Sequence, residues 1–341
     1  MKTFINKTFL AVVATVLVAG TAFFTSCEKE EKQLFQSFSK NSSVVSASIP
    51  YYSTEDQVFE IIDKISTFET LEELLDYEKT QGRSSIGAIS EVFYENIDKE
   101  SFSNQDEIIT FYQNNSHLLD TFVRNNEIYI TTKYSENSFR YVANQDGLFS
   151  IGDCVFRLFK NSVVSTSENN LNLLLNIIET DIEMLDTAVF KVSKKLKSSQ
   201  QQHEQCYYQG TYGGSIYNGN TKFEMELELW SFWPFYRKNP IIYTELDASN
   251  YNSFWGVWWF ENYTTTINGS VTIHKKNLDT DTWERITKSI NINKKFMILD
   301  YTIYKDKNAD KMHNSFLNYH FESFNIKGRN LRVDYLTLQW N

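Results

Sequence analysis

The sequence predicts an α+β domain followed by an all-β domain, and three observations support that order. Through residues 54–122, apolar residues recur at three- and four-residue spacing, which is the period of an amphipathic helix. From residue 207 onward, apolar and polar residues alternate without an intervening helical stretch, which indicates strands. All seven tryptophans lie after residue 229. These shifts in period and composition place a domain boundary near residue 200.

Capping signals divide the helical part of the first domain. Thr70 and Glu73 fit a capping box, and Gly82 is a stop signal at the end of the helix that follows. Ser85 and Ser103 each precede a further helical period and supply an N-cap. The period then changes, which predicts a small antiparallel strand unit. We predict its strands at residues 127–132, 139–143, 148–151 and 154–159, and a last helix at residues 171–185.

The second domain is predicted to be an antiparallel sandwich or barrel, because about eight strands follow one another without a helix. At residues 223–231, apolar side chains point to one face while Glu224, Glu226 and Glu228 point to the other. We expect this acidic face to meet water rather than to form an acid–base set. Turns are predicted at Asn218-Gly219, Asn268-Gly269 and Lys327-Gly328. Strands are predicted at residues 223–231, 241–246, 256–262, 265–275, 282–292, 296–304, 316–326 and 331–339.

Residues 1–26 have the features of a bacterial export signal. Lysines precede an apolar run at residues 9–24, and this run is shorter than the roughly 20 residues of a membrane-spanning helix. Small residues then precede Cys27, and the stretch resembles a lipoprotein signal. The resemblance implies that Cys27 becomes the lipid-modified first residue and anchors the protein to a membrane. The alternative is an ordinary secretory signal cut near residues 20–22, which leaves a soluble protein with a thiol at Cys27.

Two further stretches resemble lipoproteins of Bacteroidetes. The acidic cluster at residues 28–31 is similar to the tether of their surface-exposed lipoproteins. Residues 144–157 resemble a segment that recurs in uncharacterised outer-membrane lipoproteins of these bacteria. Those proteins share one plan, in which a lipoprotein signal and a helical N-terminal region precede a C-terminal β domain rich in Trp and Tyr. The resemblance implies a lipid-anchored protein of the outer membrane, exposed at the cell surface, and it implies no activity.

Composition completes the predicted organisation. Residues 39–48 are rich in serine and residues 196–206 are polar, so both are expected to be flexible connections. The predicted regions are an export signal at 1–26, a tether at 27–50, an α+β domain at 51–195, a linker at 196–206 and an all-β domain at 207–341.

Charge and cysteine content exclude one class of partner and leave one pairing open. The formal net charge is −10, and neither predicted domain carries the basic stripe that a nucleic-acid partner requires. Cys154 and Cys206 remain once Cys27 is lipidated. They either form one disulfide bridge or stay as buried free thiols.

Familiar catalytic and cofactor-binding signatures are missing from the sequence, so we predict neither a cofactor nor a metal. Because no catalytic signature is found, the sequence favours a protein that is not an enzyme. Asp306 begins a stretch that is similar to a calcium loop, but Lys311 and Leu317 replace its glycine and glutamate. His320 and Glu322 share a strand face that zinc ligands can use, yet a polar face toward water explains them more simply.

The aromatic residues of the second domain supply the candidate ligand-binding site. Trp233, Trp255, Trp258 and Trp259 lie in two clusters of aromatic residues, and exposed aromatic platforms stack on sugar rings. Packing in the core and between domains is the alternative. We therefore expect a non-catalytic, surface-exposed module that binds a glycan or a protein. The alternatives are a structural or adhesion component of the cell envelope and a glycoside hydrolase.

Overall fold

The computed structural model describes residues 49–124, 126–195, 212–237, 240–277, 280–306 and 319–340. Residues Pro50–Asn341 belong to one structural unit. The predicted export signal, lipidation at Cys27, the tether up to residue 48, the linker 196–206 and Cys206 lie outside the described residues.

Helices precede most of the strands, as the apolar period predicts. The α-helices of the described residues are α1 Glu55–Ile65, α2 Leu71–Thr80, α3 Ile86–Glu95, α4 Gln105–Asn114 and α5 Leu171–Leu175. The predicted capping box of α2 is confirmed, because the Thr70 hydroxyl accepts from the Glu73 amide at 3.2 Å and the Glu73 carboxylate accepts from the Thr70 amide at 3.3 Å. Gly82 follows the helix with a φ of 63°, the left-handed conformation expected of a helix stop.

Three other local predictions can be compared with the structure. Ser85 caps α3 as predicted, whereas Asn104 rather than Ser103 caps α4. The strand predicted at residues 139–143 is wrong, because Ser138–Tyr141 forms a short 3-10 helix. Asn137 starts this turn by accepting a hydrogen bond from the next residue but one. A stretch of five residues that is mostly apolar does not by itself distinguish a strand from a buried turn of helix.

Strands in the described part of the chain form two sheets. In chain order they are β1 Tyr51–Tyr52, β2 Leu119–Arg124, β3 Glu127–Thr132, β4 Leu148–Ile151, β5 Cys154–Phe159, β6 Ser162–Ser167, β7 Lys191–Lys195, β8 Tyr212–Asn218, β9 Thr221–Phe232, β10 Ile241–Phe254, β11 Val257–Phe260, β12 Tyr263–Asn277, β13 Thr282–Phe296, β14 Ile298–Asp306, β15 Tyr319–Asn330 and β16 Leu336–Trp340. The larger sheet has twelve strands and curls into a half-barrel. Its order is β1-β4-β5-β6-β7-β9-β10-β11-β3-β2, with β8 added to β9 and β14 added to β10.

The smaller sheet is antiparallel and has the order β13-β12-β15-β16. Its apolar face packs on one face of β9 and β10, so the two sheets share a hydrophobic core. Members of this core from the two sheets include Phe223, Met225, Leu227, Leu246, Ile267, Val271, Ile273, Phe324 and Ile326. Burial of these side chains is the main force that holds the sheets together.

The predicted order of helices followed by a mostly β architecture is confirmed. The larger sheet, however, is mixed rather than antiparallel, because β1 runs parallel to β4 and β11 runs parallel to β3. It also contains strands from both sides of the predicted linker, since Lys194 of β7 pairs with Ser231 of β9. Alternation along a sequence predicts a strand but does not say which strand lies beside it.

Two glycines predicted to form turns lie within long strands instead. Gly269 is inside β12 and Gly328 is inside β15, so these turn predictions are wrong. A Cβ atom on Gly269 would lie 2.2 Å from the Asn325 carbonyl oxygen, and one on Gly328 would lie 2.5 Å from the Met225 sulfur. Both glycines therefore allow a close approach of neighbouring chain, which is the other common reason for glycine in a strand.

Candidate functional site

The four candidate tryptophans lie in different environments. Trp258 and Trp259 are buried in β11, within the hydrophobic core that α3 and β3 also line. Trp233 follows β9 and is half-buried, and its indole N–H donates to the Arg237 carbonyl at 3.1 Å. Trp255, in contrast, is 59 % exposed. The structure thus brings three of the four onto one hairpin, formed by β10 and β11, and leaves Trp233 apart.

Trp258 belongs to an aromatic cage around a lysine of the same protein. The Lys222 ammonium lies 4.7 to 6.0 Å from four ring centroids, and the side chain is buried. The rings are those of Tyr129, Tyr217, Tyr251 and Trp258. Burial lowers the pKa of Lys222, but the Glu224 carboxylate at 2.6 Å more than offsets this, so its pKa is raised. The cage is filled by this internal cation, which gives Trp258 a structural role.

Trp255 lies at the tip of the hairpin in an unusual backbone conformation. Its φ is 53° and that of Gly256 is 77°, so both central residues of the turn are left-handed. Such turns favour Asn-Gly, because a bulky residue in this conformation is strained. The indole N–H donates to the Phe102 carbonyl at 2.8 Å, which fixes the ring beside the segment between α3 and α4. A bulky, exposed side chain held at a strained position is typical of a functional residue.

The surface beside Trp255 is apolar at its base and polar at its edge. Phe93, Ile97, Phe102 and Phe111 are half-buried and line a 240 Å³ hollow. Phe102 and Phe111 pack edge to face at 5.3 Å, and Phe93 stacks on Phe111 at 6.1 Å. We call these four residues and Trp255 the aromatic surface. Asn96, Asp98 and Ser101 provide the polar edge of the hollow.

The acidic residues of β9 do not form the water-facing row that alternation predicts. Glu224 and Glu228 are buried, because the curled sheet and the parts of the chain packed inside it cover this face. Glu224 and Glu226 contact Arg124 at 3.4 and 3.3 Å, and Glu228 accepts from the indole N–H of Trp230 at 2.9 Å. Alternation located the face correctly but not what covers it.

Carboxylates also meet inside the larger sheet. Oxygen atoms of Glu228, Glu245 and Asp247 lie within 4.8 Å of one another. Among the described residues, these three side chains are the one group close enough together to be considered as ligands of a metal ion. Because each of the three side chains also has other interactions, their proximity alone does not define a cation site.

A second candidate site is a 320 Å³ cleft between α1, α2, α3 and the junction of β13 with β14. Arg140 is fully buried beside it, and its guanidinium lies 3.0 Å from Asp300 and 3.6 Å from Glu91. The guanidinium also donates to the Tyr141 hydroxyl at 2.7 Å, and that hydroxyl donates to Glu91 at 2.5 Å. We call these four residues the arginine network. Glu91, Tyr141 and Asp300 line the cleft.

Burial changes the acidity of two groups in this cleft. It raises the pKa of Glu91, although the Arg140 charge opposes that change. It lowers the pKa of Lys294 to about 8, with opposition from surrounding carboxylates. The Lys294 ammonium donates to the carbonyls of Ser66 and Phe68, the latter at 3.2 Å. Ser66 is the C-cap of α1, so Lys294 satisfies carbonyl groups at that helix end.

Other predicted sites can be placed only in part. Glu322 contacts His274, with 2.9 Å between the imidazole nitrogen and the carboxylate, and the side chain of His320 lies outside the described part of the structure. Asp306 pairs with Lys275 at 2.6 Å, and residues 307–318 of the calcium-like stretch lie outside the described residues. Cys154 is buried in β5. Because Cys206 lies outside the described residues, the disulfide between them stays a prediction.

Sequence analysis did not single out Arg140, Lys222 or Lys294. Lys222 shares a strand face with Glu224, so the alternating pattern contains a signal for their pairing. No comparable signal links Arg140 to Asp300. Arg140 lies in the 3-10 helix and Asp300 lies in β14, 160 positions later, so only the fold brings them together.

These features define a mostly β protein with N-terminal helices, a curled twelve-stranded sheet and a smaller antiparallel sheet. In the described ranges, no helix has the length and apolar character needed to cross a membrane. No family model and no curated protein matches the sequence. One solved structure that resembles the chain is that of a DUF4848 family protein from Bacteroides thetaiotaomicron, with a TM-score of 0.28 and 11% sequence identity. The match covers 86% of this chain and 97% of that one. A likeness at this score carries no information about activity.

Proposed function

We propose that the protein is a lipid-anchored, cell-surface binding protein whose ligand is a glycan. One observation carries the binding part of the proposal. Trp255 is 59 % exposed at a left-handed turn position, where a smaller residue would fit with less strain. Its indole N–H bond to Phe102 holds the ring in place without covering it.

The aromatic surface has the chemistry that a sugar ring requires. The C–H faces of a pyranose are apolar and stack on aromatic side chains, which Trp255, Phe102 and Phe111 provide. Sugar hydroxyls at the ring edge need donors and acceptors, and Asn96 and Asp98 lie at the edge of the hollow. An apolar base with a few polar groups at its rim is typical of small-ligand sites.

The location of the protein is proposed from the sequence. The apolar run followed by Cys27 supports lipidation, and the acidic residues after it support display on the outer face of the outer membrane. The membrane is then a partner through the lipid anchor, whereas nucleic acid and cofactors are not expected. Metabolic labelling with a palmitate analogue should label the protein and should not label a Cys27→Ala variant. Protease treatment of intact cells should remove the labelled protein if it is surface-exposed.

Glycan binding can be tested with a matched pair of tryptophan variants. Retardation of the protein in gels that contain soluble polysaccharides should be lost in Trp255→Ala. It should be kept in Trp283→Ala, because Trp283 is 43 % exposed but lies on β13, in the other sheet. Circular dichroism should be the same for both variants. Equal retardation of both variants and the parent protein, or no retardation by any glycan, would contradict the proposal.

A further inference from the structure

The cleft beside the arginine network contains more acidic than basic side chains. Its acidic lining residues are Glu69, Glu72, Glu91, Glu95 and Asp300. The basic residues that line it are Lys294 and Lys295, and Arg140 lies behind the wall. Because the low-dielectric walls strengthen electrostatic interactions, this excess of carboxylates makes the cleft attractive to a cation.

The fully buried Arg140 and the half-buried Lys294 are already engaged. Arg140 contacts Asp300, Glu91, the Tyr141 hydroxyl and a backbone carbonyl. Lys294 contacts the two carbonyls at the end of α1. An anionic ligand would have to displace these contacts before it could be bound by either side chain. Most of the donors that an anion needs are therefore committed; the exceptions among the described residues are Arg140 Nε, which has no hydrogen-bond partner, and the exposed Lys295.

Acceptor capacity, in contrast, remains at the floor of the cleft. A carboxylate has two oxygens and about four lone-pair positions. The contacts of Arg140 and Tyr141 use Oε1 of Glu91 and Oδ2 of Asp300. Among the described residues, no donor contacts Glu91 Oε2 or Asp300 Oδ1. The buried Asp300 and the half-buried Glu91 thus each keep one oxygen for a further donor.

We propose that this cleft binds a small organic cation, a molecule that carries a protonated amine on a compact body. The ammonium group would donate to the remaining oxygens of Glu91 and Asp300. Its charge would also lie near the rings of Phe68, Tyr141 and Phe296, which line the cleft and favour a cation over their faces. The volume of 320 Å³ lies at the lower end of the range for small-molecule sites.

This inference does not rest on the proposed glycan site. The cleft and the aromatic surface have no lining residue in common. Amines reach cells both as free polyamines and as amino sugars, so the probes should represent both sources. Each charged probe has a neutral partner of similar size: glucosamine with N-acetylglucosamine, and putrescine with butanediol.

Calorimetric titration of the full chain with these four probes tests the proposal. We expect at least one charged probe to bind with a Kd below about 1 mM, and its neutral partner to bind at least about tenfold more weakly. Preference for glucosamine would indicate an amino sugar, and preference for putrescine a polyamine. Binding of charged and neutral partners with equal affinity, or no binding of either amine, would overturn the proposal.

Variants then assign the binding to the cleft. Glu91→Gln removes the charge but keeps an acceptor for Tyr141, and it should weaken amine binding about tenfold or more. Glu95→Gln keeps the acceptor for Asn262 at the cleft wall, and it should weaken binding a few-fold. If Glu91→Gln does not fold, the affinity of Glu95→Gln decides.

Two control variants should bind the amine like the parent protein: Glu60→Gln, on the exposed side of α1, and Trp255→Ala. Unchanged affinity in both cleft variants would refute the assignment.

Discussion

The ammonium group of Lys222 lies 2.6 Å from the carboxylate of Glu224, and both side chains are buried. They are two positions apart on β9 and therefore point to the same face of the sheet. Four aromatic rings surround the ammonium, and Glu224 is the nearer of its two carboxylate partners, because Glu127 lies 3.5 Å away. The pair fixes the strands that carry its cage: β3, β8, β9, β10 and β11.

Replacing Lys222 by Met should therefore destabilise the fold strongly. Loss of Lys222 removes the nearer of the two cations at the buried Glu224 and leaves Arg124, 3.4 Å away, as the other, so we expect the free energy of unfolding to fall by about 3 kcal/mol. Adding Glu224→Gln to this variant should restore at least about 1 kcal/mol. Lys288→Met, at an exposed position of β13, should change stability by no more than about 0.5 kcal/mol. Urea denaturation measures all three, and a loss as small as that of Lys288→Met would show that the cage carries no charge-dependent stability.

Trp255 and Trp259 should respond to substitution in opposite ways. Asn is favoured in a left-handed turn, which offsets the loss of the hydrogen bond to Phe102, so Trp255→Asn should keep stability within about 1 kcal/mol. Trp259→Ala removes a fully buried side chain and should cost about 3–5 kcal/mol. Thermal and urea unfolding test the pair. A severe loss in Trp255→Asn would mean that Trp255 is retained for stability rather than for binding.

Glycines in two different roles should differ in their tolerance of a methyl group. Gly269→Ala places a Cβ against the backbone of β15, so a strand must move, and we expect a loss of at least about 2 kcal/mol. Gly219→Ala has open space around the new atom and loses only about 1 kcal/mol through its left-handed φ of 59°. Both values come from chemical denaturation. A smaller loss for Gly269→Ala than for Gly219→Ala would contradict the close packing of β12 on β15.

Stability should depend on pH through Lys294. Burial lowers its pKa to about 8 from 10.5, so between these values the unfolded chain binds more protons at this site than the folded chain. The cost of keeping Lys294 charged is present below pH 8 and is relieved as the pH rises through this window. The stability of the parent protein relative to Lys294→Met should therefore increase from about pH 7.5 to about pH 9.5. A difference in stability between the two proteins that does not change with pH would show that the pKa of Lys294 is not lowered. Because both proteins contain the same tyrosines, the titration of the tyrosines cancels in this difference.

Local structure was largely predictable because its causes are local. The capping box at Thr70 and Glu73 depends on residues three positions apart, and the alternation of β9 depends on the residues of one strand. Sheet neighbours were not predictable, since the pairing of Lys194 with Ser231 depends on the whole fold. Gly269 shows the same limit, because glycine signals a turn and a close approach equally well and only the position of β15 decides between them.

The candidate site was predicted in the same uneven way. Aromatic excess directed attention to Trp255, but the same signal included Trp258 and Trp259, whose burial follows from strand pairing. No pattern in the sequence predicts the arginine network, because Arg140 and Asp300 are far apart along the chain.

The pairing of β7 with β9 and of β11 with β3 has a consequence for how this protein can be divided. A cut at residue 200 would leave each half with two unpaired strand edges, and backbone groups at such edges can pair with other chains. We therefore expect neither half to be soluble when it is expressed alone or fused to another protein. The two parts of the chain are therefore expected to fold only when they are expressed together.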